Sequence, residues 1–135
     1  MGRPVLILLD THVVMWLSYD YDCISPKAQA AIKQAREKES GMAISAMTLI
    51  EIARLSSHGR IHLTPDLGTF LSDIEQRFVL LSITANIAVQ AFELPSSYPK
   101  DPADRIIGAT ALIEDIPLLT ADREIHKSRA LPTIW

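Results

Sequence analysis

Short apolar runs alternate with amphipathic stretches along the chain, and this alternation limits the possible fold more than any other feature. PVLILL (4–9) is short, continuous and apolar, which reads as a buried strand. MAIS (42–45), VLLSI (79–83), PLLT (117–120) and LPTIW (131–135) read as further strands, with Pro132 favouring an edge position for the last. VVMWLS (13–18), KAQAAIKQAREKE (27–39), AMTLIEIARLSSHG (46–59), LGTFLSDIEQRF (67–78), ANIAVQAFEL (85–94), PADRIIGATALIED (102–115) and ADREIHK (121–127) read as helices. Their starts carry capping residues at Ser25, Ser45, Asp66 and Thr84, and prolines at Pro26 and Pro102 suit a first helical turn. Gly41, Gly59 and the Leu94–Pro95 pair supply stops. IHL (61–63) reads as a brief strand or an extended link, and SSYPKDP (96–102) as the clearest loop. The inner faces should be Ala28, Ala31, Ile32 and Ala35 in one helix, and Ile106, Ile107, Ala109, Thr110 and Ile113 in another. Strands alternating with helices predict an α/β fold, one domain over residues 1–135 with a mainly parallel central sheet flanked by helices. In such sheets ligands bind beyond the carboxyl ends of the strands.

Composition removes several classes of function. A hydrophobic fraction of 48% over 135 residues supports a real core. No apolar run reaches the roughly 20 residues that cross a bilayer, so no membrane partner is expected. MGRPVLILLD lacks a small-residue cleavage site and reads as a first strand, not a signal peptide. The single cysteine, Cys23, excludes an internal disulfide and makes the cytoplasm the simplest compartment, with the thiol inert. A net charge of −3 argues against binding nucleic acid by bulk electrostatics. It leaves open a site whose clustered carboxylates are negative until cations fill them. Lys100, Arg105, Arg123, Lys127 and Arg129 all fall in the last third of the chain, near several acids.

Four acids stand where an α/β sheet places chemistry. Asp10 ends the first strand and Asp122 follows PLLT by two residues. Glu51 lies in the helix after MAIS, and Asp104 lies in the first turns of the helix after SSYPKDP, three residues beyond Asp101. Each has a structural explanation as well. Asp10, Asp101 and Asp122 suit helix caps, and Asp104 suits a positive helix start. Glu51 fits least, because Ile50 and Ile52 flank it and an unpaired buried carboxylate is costly. It needs a cation, an arginine such as Arg54, or a place at a cleft. Acids packed together raise one another's pKa unless a cation neutralises them. Hard oxygen donors suit Mg²⁺ or Mn²⁺, and two such ions can activate water and steady the leaving oxygen in phosphodiester hydrolysis. There is no His/Cys cluster at zinc spacing, no GxxxxGK[ST] loop and no GxSxG elbow.

These residues resemble the PIN-domain family, and within it the VapC-like toxins of bacterial type II toxin–antitoxin systems. LLDTHVVMWL (8–17) is similar to the family's first acidic motif. ISAMTLIEIARL (44–55) resembles the second, with Ser45, Thr48 and Glu51. KDPADRIIGATAL (100–112) resembles the third, with Asp104 and Asp101, and LLTADREI (118–125) the fourth, with Thr120 and Asp122. The motifs fall in family order over nearly the whole chain. The resemblance implies a PIN fold and Mg²⁺- or Mn²⁺-dependent endoribonuclease activity on RNA. It also implies a cognate antitoxin protein and, commonly, a homodimer. By position Asp10, Glu51 and Asp104 match the core metal-binding acids, with Asp122 as a more variable fourth and Asp101 as a further candidate ligand. Thr11, Thr120 and also Thr48 match hydroxyl residues that orient carboxylates or waters. Gly108 stands where close relatives usually carry alanine.

Hydrolysis by this set would leave Arg105 or Lys100 to steady the charge building on phosphate. Trp16, Tyr19 and Tyr21 offer rings for stacking bases, although packing is the simpler role for Trp16. His12 reads as a hydrogen-bonded packing residue, since Mg²⁺ prefers oxygen. Other readings compete. A dehalogenase-like phosphatase also places an Asp after its first strand, but requires a second acid where His12 stands. A phospho-receiver needs an Asp ending a middle strand, and VLLSI has none. A catalytically silent PIN domain serving as a binding module would carry the same fold without the chemistry.

Overall fold

Strand β1 (Ile7–Leu9) has every side chain buried, and it lies at the centre of the sheet. Around it stand β2 (Met42–Ser45), β3 (Val79–Leu81), β4 (Leu118–Leu119) and β5 (Thr133–Ile134), in the order β3-β2-β1-β4-β5. The computed structural model describes residues 6–37, 41–63 and 66–135. Each neighbouring pair is parallel, so the sheet is wholly parallel where a mainly parallel one was expected. The register Leu8↔Ala43 and Leu8↔Leu118 brings the carboxyl ends of β1, β2 and β4 to one edge. Asp10, Ser45 and Thr120 are the residues at those ends. Pro132 sits beside edge strand β5, where a missing N–H is harmless.

Helices cover both faces of the sheet. In chain order they are α1 (Thr11–Tyr19), α2 (Pro26–Glu37), α3 (Ala46–Ser57), α4 (Leu67–Arg77), α5 (Ala85–Glu93), α6 (Pro102–Glu114) and α7 (Arg123–Ser128). Their starts follow the sequence closely. Side chains of Asp10, Ser45, Asp66, Thr84, Asp101 and Asp122 accept hydrogen bonds from the first backbone N–H groups of their helices. One buried cluster joins Leu9, Val13, Ile32, Ile44, Ile52 and Ile74, and a second joins Leu8, Tyr98, Ile107, Leu118 and Leu131. Successive β1 residues thus feed opposite layers, as a strand's two-residue period requires. No helix among the described residues is long and apolar enough to cross a membrane.

Differences from expectation are local. A 3-10 turn at Tyr21–Cys23 was not foreseen, while IHL (61–63) takes the extended-link form of its two expected ones. Ile113 is 43% exposed, whereas Ala109 and Thr110 are fully buried as expected. Pro4 and Val5 of the first expected strand, and Lys38 and Glu39 of the second helix, lie outside the described residues.

Candidate active site

Three of the four acids line one cavity at the carboxyl edge of the sheet. Its volume is about 290 Å³, and its walls include Asp10, Thr11, Glu51 and Asp104, with His12, Met15, Leu55 and Ile61. Strand β1 delivers Asp10, helix α3 presents Glu51 from its second turn, and helix α6 presents Asp104 from its first. Asp122 stands outside this lining, yet its charge reaches Asp104.

Asp10 is both a cap and a member of the site. One carboxylate oxygen accepts from the Thr11 N–H at 2.9 Å, which fixes the start of α1. The other accepts from the Thr120 hydroxyl at 2.7 Å. That hydroxyl accepts in turn from the Asp122 N–H at 3.1 Å, so the fourth motif holds the first. Asp10 is 3% exposed, and with two donors its rotamer is locked. Glu51 accepts from the Thr11 hydroxyl at 2.5 Å, and Thr48, fully buried, sits 3.1 Å from that same hydroxyl. Of the three environments a carboxylate at position 51 required, the structure supplies the cleft.

Electrostatics single out Asp104. Burial, followed by the charges of Asp10, Asp101, Glu51 and Asp122, pushes its carboxyl up to about 7. Glu51 is also raised, first by burial and then by Asp10 and Asp101, with the Thr11 hydrogen bond opposing. Hard carboxylate oxygens with an excess of negative charge fit a divalent cation such as Mg²⁺ or Mn²⁺. Among the described residues no three carboxylate, imidazole or thiolate groups converge on one point, in keeping with the repulsion between like charges.

His12 is a packing residue, as its sequence context suggested. Its Nε2 accepts the Ala121 N–H at 3.3 Å, so the proton resides on Nδ1, which stands 3.7 Å from Asp10. The ring meets Trp16 edge-on at 5.0 Å, and Trp16 packs against Trp135 at 5.7 Å. Cys23 lies on the surface, its thiol donating to Asp20 at 3.2 Å and pushed up mainly by that bond.

One reading of the third motif needs correction. Arg105 does not face phosphate. Its guanidinium is buried and donates to the carbonyls of Ala91, Leu94, Pro95 and Tyr98 at 3.1–3.4 Å. It donates to carbonyls at the end of α5 and in the following loop; the Pro95 carbonyl also accepts from the Tyr98 N–H at 2.9 Å. Lys100 remains exposed. Asp101 caps α6, accepting from the Ala103 N–H at 2.8 Å, and acts on Asp104 and Glu51 through its charge.

Tyr98 was missed. It is 1% exposed, and its hydroxyl donates to the Asp104 carbonyl at 3.0 Å. Burial and the nearby charges of Asp10, Asp104 and Asp122 keep that hydroxyl protonated by raising its pKa. The signal for it was Gly108. A glycine inside an apolar helix face marks a close approach. A Cβ there would overlap the Tyr98 hydroxyl and stand 2.7 Å from Cζ.

A parallel α/β sheet with acids gathered at its carboxyl edge defines a class of hydrolase-like sites, and the comparisons give the family. The PIN domain model matches residues 7–130, and the chain belongs to the PIN-domain family. Within it the chain is VapC-like. It is 36% identical over 131 residues to Ribonuclease VapC22 of Mycobacterium tuberculosis, covering 96% of this chain and 98% of that protein. The fold matches VapBC2 from Rickettsia felis, solved bound to a DNA fragment from its promoter, with a TM-score of 0.71 at 15% identity over 96% of this chain and 97% of that one. It also matches the DNA-bound VapBC of Salmonella typhimurium, with a TM-score of 0.68 at 18% identity over 96% of both chains.

Proposed function

We propose that this chain, residues 1–135 acting as one PIN domain, is a divalent-cation-dependent endoribonuclease and the toxin of a type II toxin–antitoxin module. The observation that carries the proposal is the cavity that Asp10, Glu51 and Asp104 line together, with threonine hydroxyls fixing two of the three. The similarity to a protein named as a ribonuclease supports it. Asp10, Glu51 and Asp104 would hold Mg²⁺ or Mn²⁺, with Asp122 and, less directly, Asp101 completing the negative field. A cation bound there would supply Lewis acidity for hydrolysis of an RNA phosphodiester. The protein's own part is positional. Thr120 and the Thr11 N–H hold Asp10, the Thr11 hydroxyl, itself paired with Thr48, holds Glu51, and Tyr98 holds the backbone at Asp104. Protonation and cation binding compete at the Asp104 carboxyl.

The partner is an antitoxin protein, whose arginine or lysine would fit the acidic cavity, and the working compartment is the cytoplasm. A homodimer accounts for the apolar row on α5, where Val89 is 58% exposed and Phe92 is 69% exposed one turn apart. The test is cleavage of single-stranded RNA with Mg²⁺. Asp10→Asn should abolish cleavage, as should a chelator, and full activity in the Asn variant would sink the assignment. A silent binding module would show no Mg²⁺-linked rise in melting temperature.

A further inference from the structure

We propose that the groove beside the acidic cavity is a nucleobase subsite, in which an unpaired base stacks on Trp135 while Arg123 and Lys127 hold the adjoining phosphates. This rests on the ribonuclease reading for its substrate. The groove is about 560 Å³ and is lined by Ala121, Arg123, His126, Lys127 and Trp135. It shares a wall with the acids: His12 lines the cavity, Ala121 lines the groove, and the Ala121 N–H donates to His12 Nε2 at 3.3 Å. Rings continue the link. His12 meets Trp16, and Trp16 meets Trp135, which leaves part of the second indole facing the groove.

The cavity itself repels a polyanion, so cations outside it must hold the strand. Arg105 is committed to backbone carbonyls. Arg123 and Lys127 are exposed and make no ion pair among the described residues. His126 contributes a rigid wall rather than chemistry. Its Nε2 donates to the Thr120 carbonyl at 2.6 Å and its Nδ1 accepts from Thr133 at 2.7 Å, so both nitrogens are engaged. A base in this groove presents its face, which every base has, so the subsite selects unpaired strands over sequence.

The experiment uses the full chain with a chelator present, so that binding is read without cleavage. The probes are a random-sequence 12-nucleotide single-stranded RNA and an abasic strand of the same length. In the Trp16→Phe variant, Trp135 is the only tryptophan. The RNA should quench its emission, and the abasic strand should bind through phosphates without quenching. Trp135→Leu should weaken RNA binding about ten-fold, the scale of one stacked base. Arg123→Gln and Lys127→Gln, both at exposed positions, should each flatten the logarithmic salt dependence by about 0.7. Equal quenching by both strands, RNA binding without quenching, or an unchanged salt slope in the Gln variants would overturn the subsite. Binding through Trp135 by a wild-type protein that cleaves no RNA with Mg²⁺ would instead overturn the ribonuclease reading alone.

Discussion

Gly108→Ala should destabilise the protein, although alanine is the better helix former. In a solvent-facing helix the change would stabilise by about 1 kcal/mol. Here the new Cβ would overlap the Tyr98 hydroxyl, lie 2.7 Å from Tyr98 Cζ and 3.2 Å from Leu131 Cδ2. Tyr98 is 1% exposed and Leu131 7%, so neither has open space to move into. Overpacking of this kind costs about 1–3 kcal/mol. Displacing the ring also breaks the hydrogen bond to the Asp104 carbonyl, worth about 1 kcal/mol. The net loss should be about 1–3 kcal/mol, a fall in melting temperature of roughly 5–10 °C for a domain of this size. Thermal melts of four proteins check it: wild type, Gly108→Ala, Tyr98→Phe and the double variant. Removing the hydroxyl leaves Cζ still close, so relief should be partial, with a coupling of about 1 kcal/mol. Because Tyr98 holds the Asp104 backbone, Gly108→Ala should also lower kcat for RNA cleavage. A single variant more stable than wild type, or an alanine cost identical with Tyr and Phe at position 98, would refute the reasoning.

Other perturbations follow from the same contacts. The folded carboxyl of Asp104 is raised to about 7 from 3.8, so its stabilising contribution is present below about pH 4 and is lost as pH rises towards 7. Chelated protein should therefore melt lower at pH 8 than at pH 5 on this group's account. Asp104→Asn should remove much of that difference, roughly 1–2 kcal/mol after discounting for solvent screening, while abolishing cleavage. Arg105→Met should cost about 3 kcal/mol by removing the guanidinium from the carbonyls of Ala91, Leu94 and Tyr98, and Arg105→Lys should not rescue it, since a single ammonium cannot reproduce the fork; urea melts test both. Thr120→Val should lower kcat about ten-fold by freeing Asp10, with Thr120→Ser restoring most of it in the same RNA assay.

Local chemistry was legible in the sequence; convergence was not. Each capping residue acts on the next three N–H groups, so Ser45, Asp66 and Thr84 could be read in isolation. Apolar runs marked every strand, but not where pairing stops, and VLLSI pairs only over Val79–Leu81. Periodicity identified the apolar side of α6 but not how much of it is covered, so Ile113 was assigned inward although it is exposed. Three of the four acids line one cavity, at the edge that the strand ends indicated, and Asp122 stands outside that lining. Arg105 failed for a different reason. A cation beside an acid in DPADR suggests phosphate, whereas its partners are carbonyls between 7 and 14 residues earlier, which no spacing rule anticipates. Tyr98 failed similarly, although Gly108 pointed towards it.

The arrangement around Asp104 explains why a fold would tolerate so costly a site. Burial raises its proton affinity most, and the charges of four other acids raise it further, so ionising it works against the folded state. The neighbouring cation that would offset this, Arg105, is turned away and bound to backbone. Had its guanidinium faced the cavity, an internal ion pair would have quenched the field and removed the attraction for a divalent ion. Placing the arginine on the opposite side instead secures the α5–α6 connection that carries Tyr98, whose hydroxyl then fixes the backbone of Asp104. The same residues thus keep the cavity negative and hold it rigid. A module used only for binding protein gains nothing from that combination, because its carboxylates could be paired internally at lower cost. The combination supports the proposal that the cavity takes a divalent cation.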